Sequence, residues 1–249
     1  MEILPFFFFL IALLYSSVGF GGGSSYLAIL SLILGDIYQI RSTALILNIC
    51  VVVITSFAFI RSKTFDWKSF WPFLVLSIPL AFIAAQWKLA DKTFFIILGI
   101  SLIGAGLAMF LKQFQNKGGK RQFILPFKIG LGGSIGLLSG LSGIGGGIYL
   151  SPVLHLVSWE NSKKIAALAS SFIFFNSLAG LGGLALAGNL NLDFNFIGKL
   201  IIAVCLGAGL GSYFSHKKFK TKILSILTAL LVIYVGCKLI LGLVWQINI

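Results

Sequence analysis

Gly143-Ile144-Gly145-Gly146-Gly147 decides how this chain is read, because the same G-x-G-G-G pattern stands 124 positions earlier as Gly19-Phe20-Gly21-Gly22-Gly23. A glycine in a helix interior costs roughly 1 kcal/mol relative to alanine, so a block of three marks a place where a helix stops. Each block follows an apolar run of helix length (Ile3 to Val18; Ile124 to Ser142) and precedes a short one (Tyr26 to Leu34; Ile148 to Val157). Glycines that only let membrane helices pack closely recur at every fourth position. Gly106, Gly180, Gly207 and Gly211 are read that way, and the two blocks are not. Helix breaks at matching places in two halves point instead to a midplane site of the kind transporters use.

The surroundings of the blocks are hydrocarbon-like. The 249 residues are 58% hydrophobic and 10% charged, far from the roughly one-quarter charged residues of soluble domains. Apolar runs near 20 residues cross a bilayer as helices, and the chain holds six besides the two broken pairs. The expected fold class is an all-α polytopic membrane protein. Each half is a glycine-broken helical hairpin followed by three transmembrane helices, and the two halves are inverted repeats. The first repeat covers residues 1–111, with its hairpin at 3–34 and spans at 42–60, 70–87 and 93–111. A basic linker, 112–123, leads to the second repeat, 124–249, with hairpin 124–157 and spans 165–187, 194–215 and 223–245. The first segment has Glu2 ahead of its Phe-rich run rather than a basic leader, and is expected to stay in the fold. An acid between apolar residues precedes the second full span of each half (Asp66 and Asp193), a second landmark of duplication.

Orientation follows from the basic residues. If each broken pair enters and leaves on one side, the loops holding Arg61, Lys63, Lys68, Lys112, Lys117, Lys120, Arg121, Lys128, Lys163, Lys164, Lys217, Lys218, Lys220 and Lys222 share a face. The opposite loops then hold only Arg41, Lys88 and Lys92. Counting each broken pair as a single crossing gives an almost even split. The positive-inside rule therefore favours inverted halves in the cell (inner) membrane, with basic loops cytoplasmic and both termini outside. The same rule explains the net charge of +13 without nucleic acid, since no basic domain with interleaved aromatics exists.

All six acids (Glu2, Asp36, Asp66, Asp91, Glu160, Asp193) lie in loops or at span ends. Proton and cation pathways usually need a buried carboxylate. An anion pathway needs donors, which backbone amides at helix N-termini supply along with about half a positive charge each. The candidate substrate-binding residues are Gly21, Gly22, Gly23, Ser24 and Ser25 at the first break and Gly145, Gly146 and Gly147 at the second. Thr43 and Asn48 in the first full span of one half, and Ser170, Ser171 and Asn176 in that of the other, complete the set. A buried amide can donate to an oxyanion or clamp a carbonyl freed at a break, and both roles stand open for Asn48 and Asn176. No cofactor motif and no metal-ligand spacing occurs, and Cys50, Cys205 and Cys237 read as packing residues. Gly140-Leu141-Ser142-Gly143 has the form of an intramembrane serine nucleophile, but its required deep histidine is missing, since His155 and His216 fall at span ends. The chain is expected not to be an enzyme. An anion channel is the main alternative.

The two glycine runs, Val18 to Gly23 and Ser142 to Gly147, each with a short apolar segment and then a Ser/Thr-bearing span, resemble the TauE/SafE (TSUP) family of sulfite exporters. The resemblance covers nearly the whole chain. It implies a bacterial-type transporter of sulfite, organosulfonates or related sulfur oxyanions; the preference for sulfur comes from the resemblance alone. The expected partners are a small oxyanion and the lipid bilayer; sequence specifies neither a coupling ion nor the oligomeric state.

Overall fold

The computed structural model describes residues 3–112, 123–157 and 159–215, and in the last stretch 226, 229–230, 233–234 and 236–241. Glu2, most of the linker, His216, Lys217 to Lys222 and much of the expected span 223–245 lie outside the described residues. Among the described residues there is no strand, and nine helices are delimited: α1 (Leu4–Val18), α2 (Gly23–Leu30), α3 (Ile37–Arg61), α4 (Trp67–Gln86), α5 (Asp91–Lys112), α6 (Leu125–Ser142), α7 (Gly147–Leu156), α8 (Ser162–Leu186) and α9 (Phe194–Ser215). Five of them (α3, α4, α5, α8 and α9) are long and apolar enough to cross a membrane. Trp67, Trp71 and Trp87, exposed near the two ends of α4, fit an aromatic belt at the interfaces.

Short polar side chains set where the long helices begin. Asp36 caps α3 by accepting from Tyr38 N, Asp66 caps α4 from Lys68 N, and Asn161 caps α8 from Lys164 N. Asp193 does the same work for Asn195 N and Phe196 N at the start of α9. The Ser69 hydroxyl, donating to Asp66, also holds that exposed carboxyl below its ordinary range. Asp66 and Asp193, the paired acids of the two halves, each cap the helix that follows. With Asp36, Asp66 and Asn161 as caps, α3, α4 and α8 start three to five residues before the expected spans.

That shift corrects one placement. Arg41, expected in an outer loop, is the fifth residue of α3 and only 1% exposed. The Asp36 cap draws the helix start back past it, so it turns into the bundle. Of the three residues expected there, Lys88 remains in a loop and Lys92 stands exposed in the first turn of α5.

Close contacts give the helix directions. Phe73, Ser77 and Ala81 of α4 meet Gly132, Gly136 and Gly140 of α6 in step, so these helices run parallel, with the small residue every fourth position that close packing needs. Phe9 and Leu13 of α1 meet Gly207 and Gly211 of α9 in the same way. Gly207 and Gly211 are packing glycines, as expected. The long helices α3 and α8 run antiparallel: Ser42 Oγ accepts from Asn191 N just beyond α8, Leu45 lies against Gly180, and Asn48 reaches Ser177. Gly99 and Gly106 of α5 pack on Ile240 and Ile233 in the last stretch, again antiparallel. The short α2 doubles back along α1, since Ser25 meets the Tyr15 hydroxyl at 2.7 Å and the Tyr26 ring stacks on Phe8 with centroids 5.0 Å apart.

Candidate functional site at the two helix breaks

Both glycine blocks break the backbone as expected. Gly19 ends α1 and Gly22 precedes α2, each with φ +89°; Gly143 ends α6 at φ +76°, and Gly145 and Gly146 lead into α7 at +86° and +83°. These are left-handed conformations in which a Cβ is strained. The consequence is a pair of helix N-termini that their own flanking residues cannot cap, since neither Gly22 nor Gly146 has a side chain to supply a cap bond. The caps on α3, α4 and α8 make the contrast clear. The first amides of a helix have no partner within it, so α7, and α2 beyond its first amide, Gly23 N, offer donors inside the protein.

Asn48 joins the two breaks. Its Oδ1 accepts from Gly23 N at 3.2 Å, and its Nδ2 donates to Ile144 O at 2.9 Å and to Ser177 Oγ at 3.4 Å. Of the two roles open to it, this is the clamp on backbone groups freed at the breaks. Gly21, Gly23 and Gly145 all lie against its amide, and a Cβ on any of them would run into it. Gly145 also faces Ser177 and Ile173, Gly146 faces Phe172 and Ile135, and Gly147 faces Ile173.

Gly21, Gly22, Gly23, Ser24 and Asn48 line one small cavity with Tyr15, Phe20, Ile144, Ile148 and Ile173. It has room on the order of a single water. Ser24 and Ser25 share the Tyr15 hydroxyl, at 3.3 and 2.7 Å. The other expected residues lie apart from this cavity. Ser170 and Ser171 donate back to Ala167 O of their own helix, at 3.0 and 3.1 Å. Asn176 donates to Phe172 O at 2.9 Å and accepts from Ser77 Oγ at 2.6 Å, joining α8 to α4. Thr43 is fully buried, with no hydrogen-bond partner for its hydroxyl.

Sequence reasoning missed Tyr15, Ser177 and the apolar wall. Tyr15 lies one turn before Gly19, and a search for hydroxyls on the apolar run before the break would have found it. Ser142, the nucleophile of the enzymatic alternative, donates to Leu138 O of its own helix at 2.7 Å.

Comparison with known proteins agrees with this architecture. The family model described as Sulfite exporter TauE/SafE matches residues 4–239. A probable membrane transporter protein of Sinorhizobium fredii is 28% identical over 241 residues, 94% of this chain and 95% of its own. The probable membrane transporter protein YunE of Bacillus subtilis is 26% identical over 219 residues, 80% of this chain and 79% of its own. No solved structure gives a significant match. With membrane-length helices around two interior breaks and a family match from the first helix to the last, the chain belongs to the TauE/SafE family and is a membrane transporter of that type.

Proposed function

We propose that this protein carries small oxyanions, sulfite and organosulfonates foremost, across the cell membrane by alternating access around the two glycine breaks. The observation that carries the reading is the pair of half-helix N-termini, neither capped by its own flanking glycine, joined by one side chain, Asn48, which accepts from Gly23 N at the first break and donates to Ile144 O at the second. Amide donors and positive dipole ends suit an anion. Sulfur chemistry is taken from the family description.

Inverted halves give the site its two routes of access. The first full spans of the two halves, α3 and α8, run antiparallel, which suits repeats related by an axis in the membrane plane. At 1.5 Å per residue the eight residues of α2 extend about 12 Å, well short of the ~30 Å hydrocarbon core. Its doubling back on α1 therefore favours a hairpin that re-enters and leaves on one side. A cysteine in the Lys112 to Arg121 linker is then expected to react with an impermeant maleimide only from the cytoplasm, and one appended after Ile249 only from outside. Labelling of both from one side overturns the inverted arrangement.

The cavity at the breaks is too small for an oxyanion, so its apolar wall must part for each passage. That favours a carrier over an open pore. In proteoliposomes, sulfite flux is expected to saturate and to show counterflow when the inside is preloaded, with sulfate, thiosulfate, acetate and taurine compared as competitors. Flux that rises without saturation, accompanied by unitary currents, would make the protein an anion channel.

A further inference from the structure

Arg41 is a buried cation with no countercharge among the described residues. Its Nη2 donates to Gly140 O at 2.6 Å and to Ala85 O at 3.2 Å, carbonyls in the last turns of α6 and α4. Its Nε is buried with no hydrogen-bond partner, and among the described residues no carboxylate pairs with it. The stem of the side chain lies against the second break, where a Cβ on Gly143 would stand 3.1 Å from Arg41 Cγ. Arg41, Leu45 and Asn48 follow one another at helical spacing on one face of α3, the face turned to α8 and the breaks.

The other half shows what the fold itself requires at this place. Ala166 is likewise the fifth residue of its helix, α8, and it closes on Gly19 at the first break, 2.7 Å from a Cβ built there. Alanine is therefore enough to seal a break. Two terminal carbonyls can be capped by a neutral donor. Neither task calls for a full charge, and a charge taken out of water without an opposite one is costly to keep.

We propose that Arg41 is the countercharge of the transported anion, which lies on the α3 face between Arg41 and Asn48, about 10 Å apart along the axis, and accepts a hydrogen bond from Arg41 Nε. A guanidinium offers an oxyanion a planar set of donors that an ammonium does not. The assignment makes the site asymmetric, with the charge at the second break and the Tyr15, Ser24 and Ser25 hydroxyls at the first. It rests on the oxyanion reading above.

Two measurements test it together. In proteoliposomes, R41K is expected to raise the half-saturating sulfite concentration about tenfold or more, and R41Q to remove saturable flux. A lysine can still cap Ala85 and Gly140, so a merely structural Arg41 predicts a lower melting temperature in R41K with the parent's half-saturation. The second measurement leaves Arg41 intact: in an R61K/R121K protein labelled with 15N-arginine, Arg41 gives the lone guanidinium signal. Sulfite is expected to shift its Nε resonance, saturating near the half-saturating concentration for flux. An unmoved resonance, or parent-like half-saturation in R41K, overturns the assignment. If the parent itself carries no oxyanion, the transport reading fails first and the assignment with it.

Discussion

Gly22→Ala and Gly146→Ala proteins are expected to insert and fold yet lose most oxyanion flux. At both positions the backbone is left-handed, with φ +89° and +83°, which costs a residue with a Cβ about 1–2 kcal/mol. The obstacle that the new methyl meets is a side chain: Tyr26 Cζ at 2.8 Å from the Cβ at Gly22, and Phe172 Cε1 at 2.7 Å from that at Gly146. A ring can tilt by a few tenths of an ångström, so the fold has a way to absorb the change. The methyl nevertheless occupies the space through which an anion must approach the N-terminal amides of α2 or α7. Gly207→Ala and Gly211→Ala make the contrast, because there the new Cβ meets the backbone carbonyls of Phe9 and Leu13, which cannot turn away. In those two, folded yield and flux are expected to fall together. The measurement is flux per folded protein, with yield read from monodisperse elution in detergent. Parent-like flux in Gly22→Ala and Gly146→Ala would reduce the blocks to packing devices.

How legible the site was depended on how far each signal reached along the chain. The glycine blocks are local: three glycines in a row cannot continue a helix, and the break is where the sequence puts it. Asp36 is an equally local signal. An aspartate directly before the apolar residues Ile37 and Ile40 is an N-cap signal, and taking it as one starts the helix early enough to carry Arg41 inside. Read as a loop, the same residues put a charge on the surface. Asn48 and Asn176 each sit deep in the first full span of their half. The residue that faces Asn48 is Ser177, one position on, and one position turns a helix by about 100°. That rotation aims Asn176 at Ser77 of α4 instead. Register between two helices depends on both hairpins and their loops, and no spacing within one helix encodes it. The serines 170 and 171 show the remaining limit, since a hydroxyl in a helix is satisfied by its own backbone as readily as by a ligand.

The Asn48 clamp gives the most selective expected result. Asn48→Ala leaves Gly23 N–H and Ile144 C=O unpaired in the interior, at roughly 1–3 kcal/mol each, so melting temperature is expected to drop along with flux. Asn48→Asp nearly preserves the shape and separates charge from packing. The carboxylate can still accept from Gly23 N–H, but it opposes the Ile144 carbonyl that Nδ2 now reaches at 2.9 Å, and it sets a negative charge between the two tips where an anion must bind. Flux at neutral pH is expected to fall further than in Asn48→Ala. Acidification favours the protonated form of the carboxyl. Protonated, the group donates to Ile144 O and accepts from Gly23 N as the amide does. Asn48→Asp flux, divided by parent flux at each pH, is therefore expected to recover on acidification. A ratio that stays low at every pH leaves the clamp geometry without support, and parent-like flux at neutral pH means that the anion passes elsewhere than between the tips.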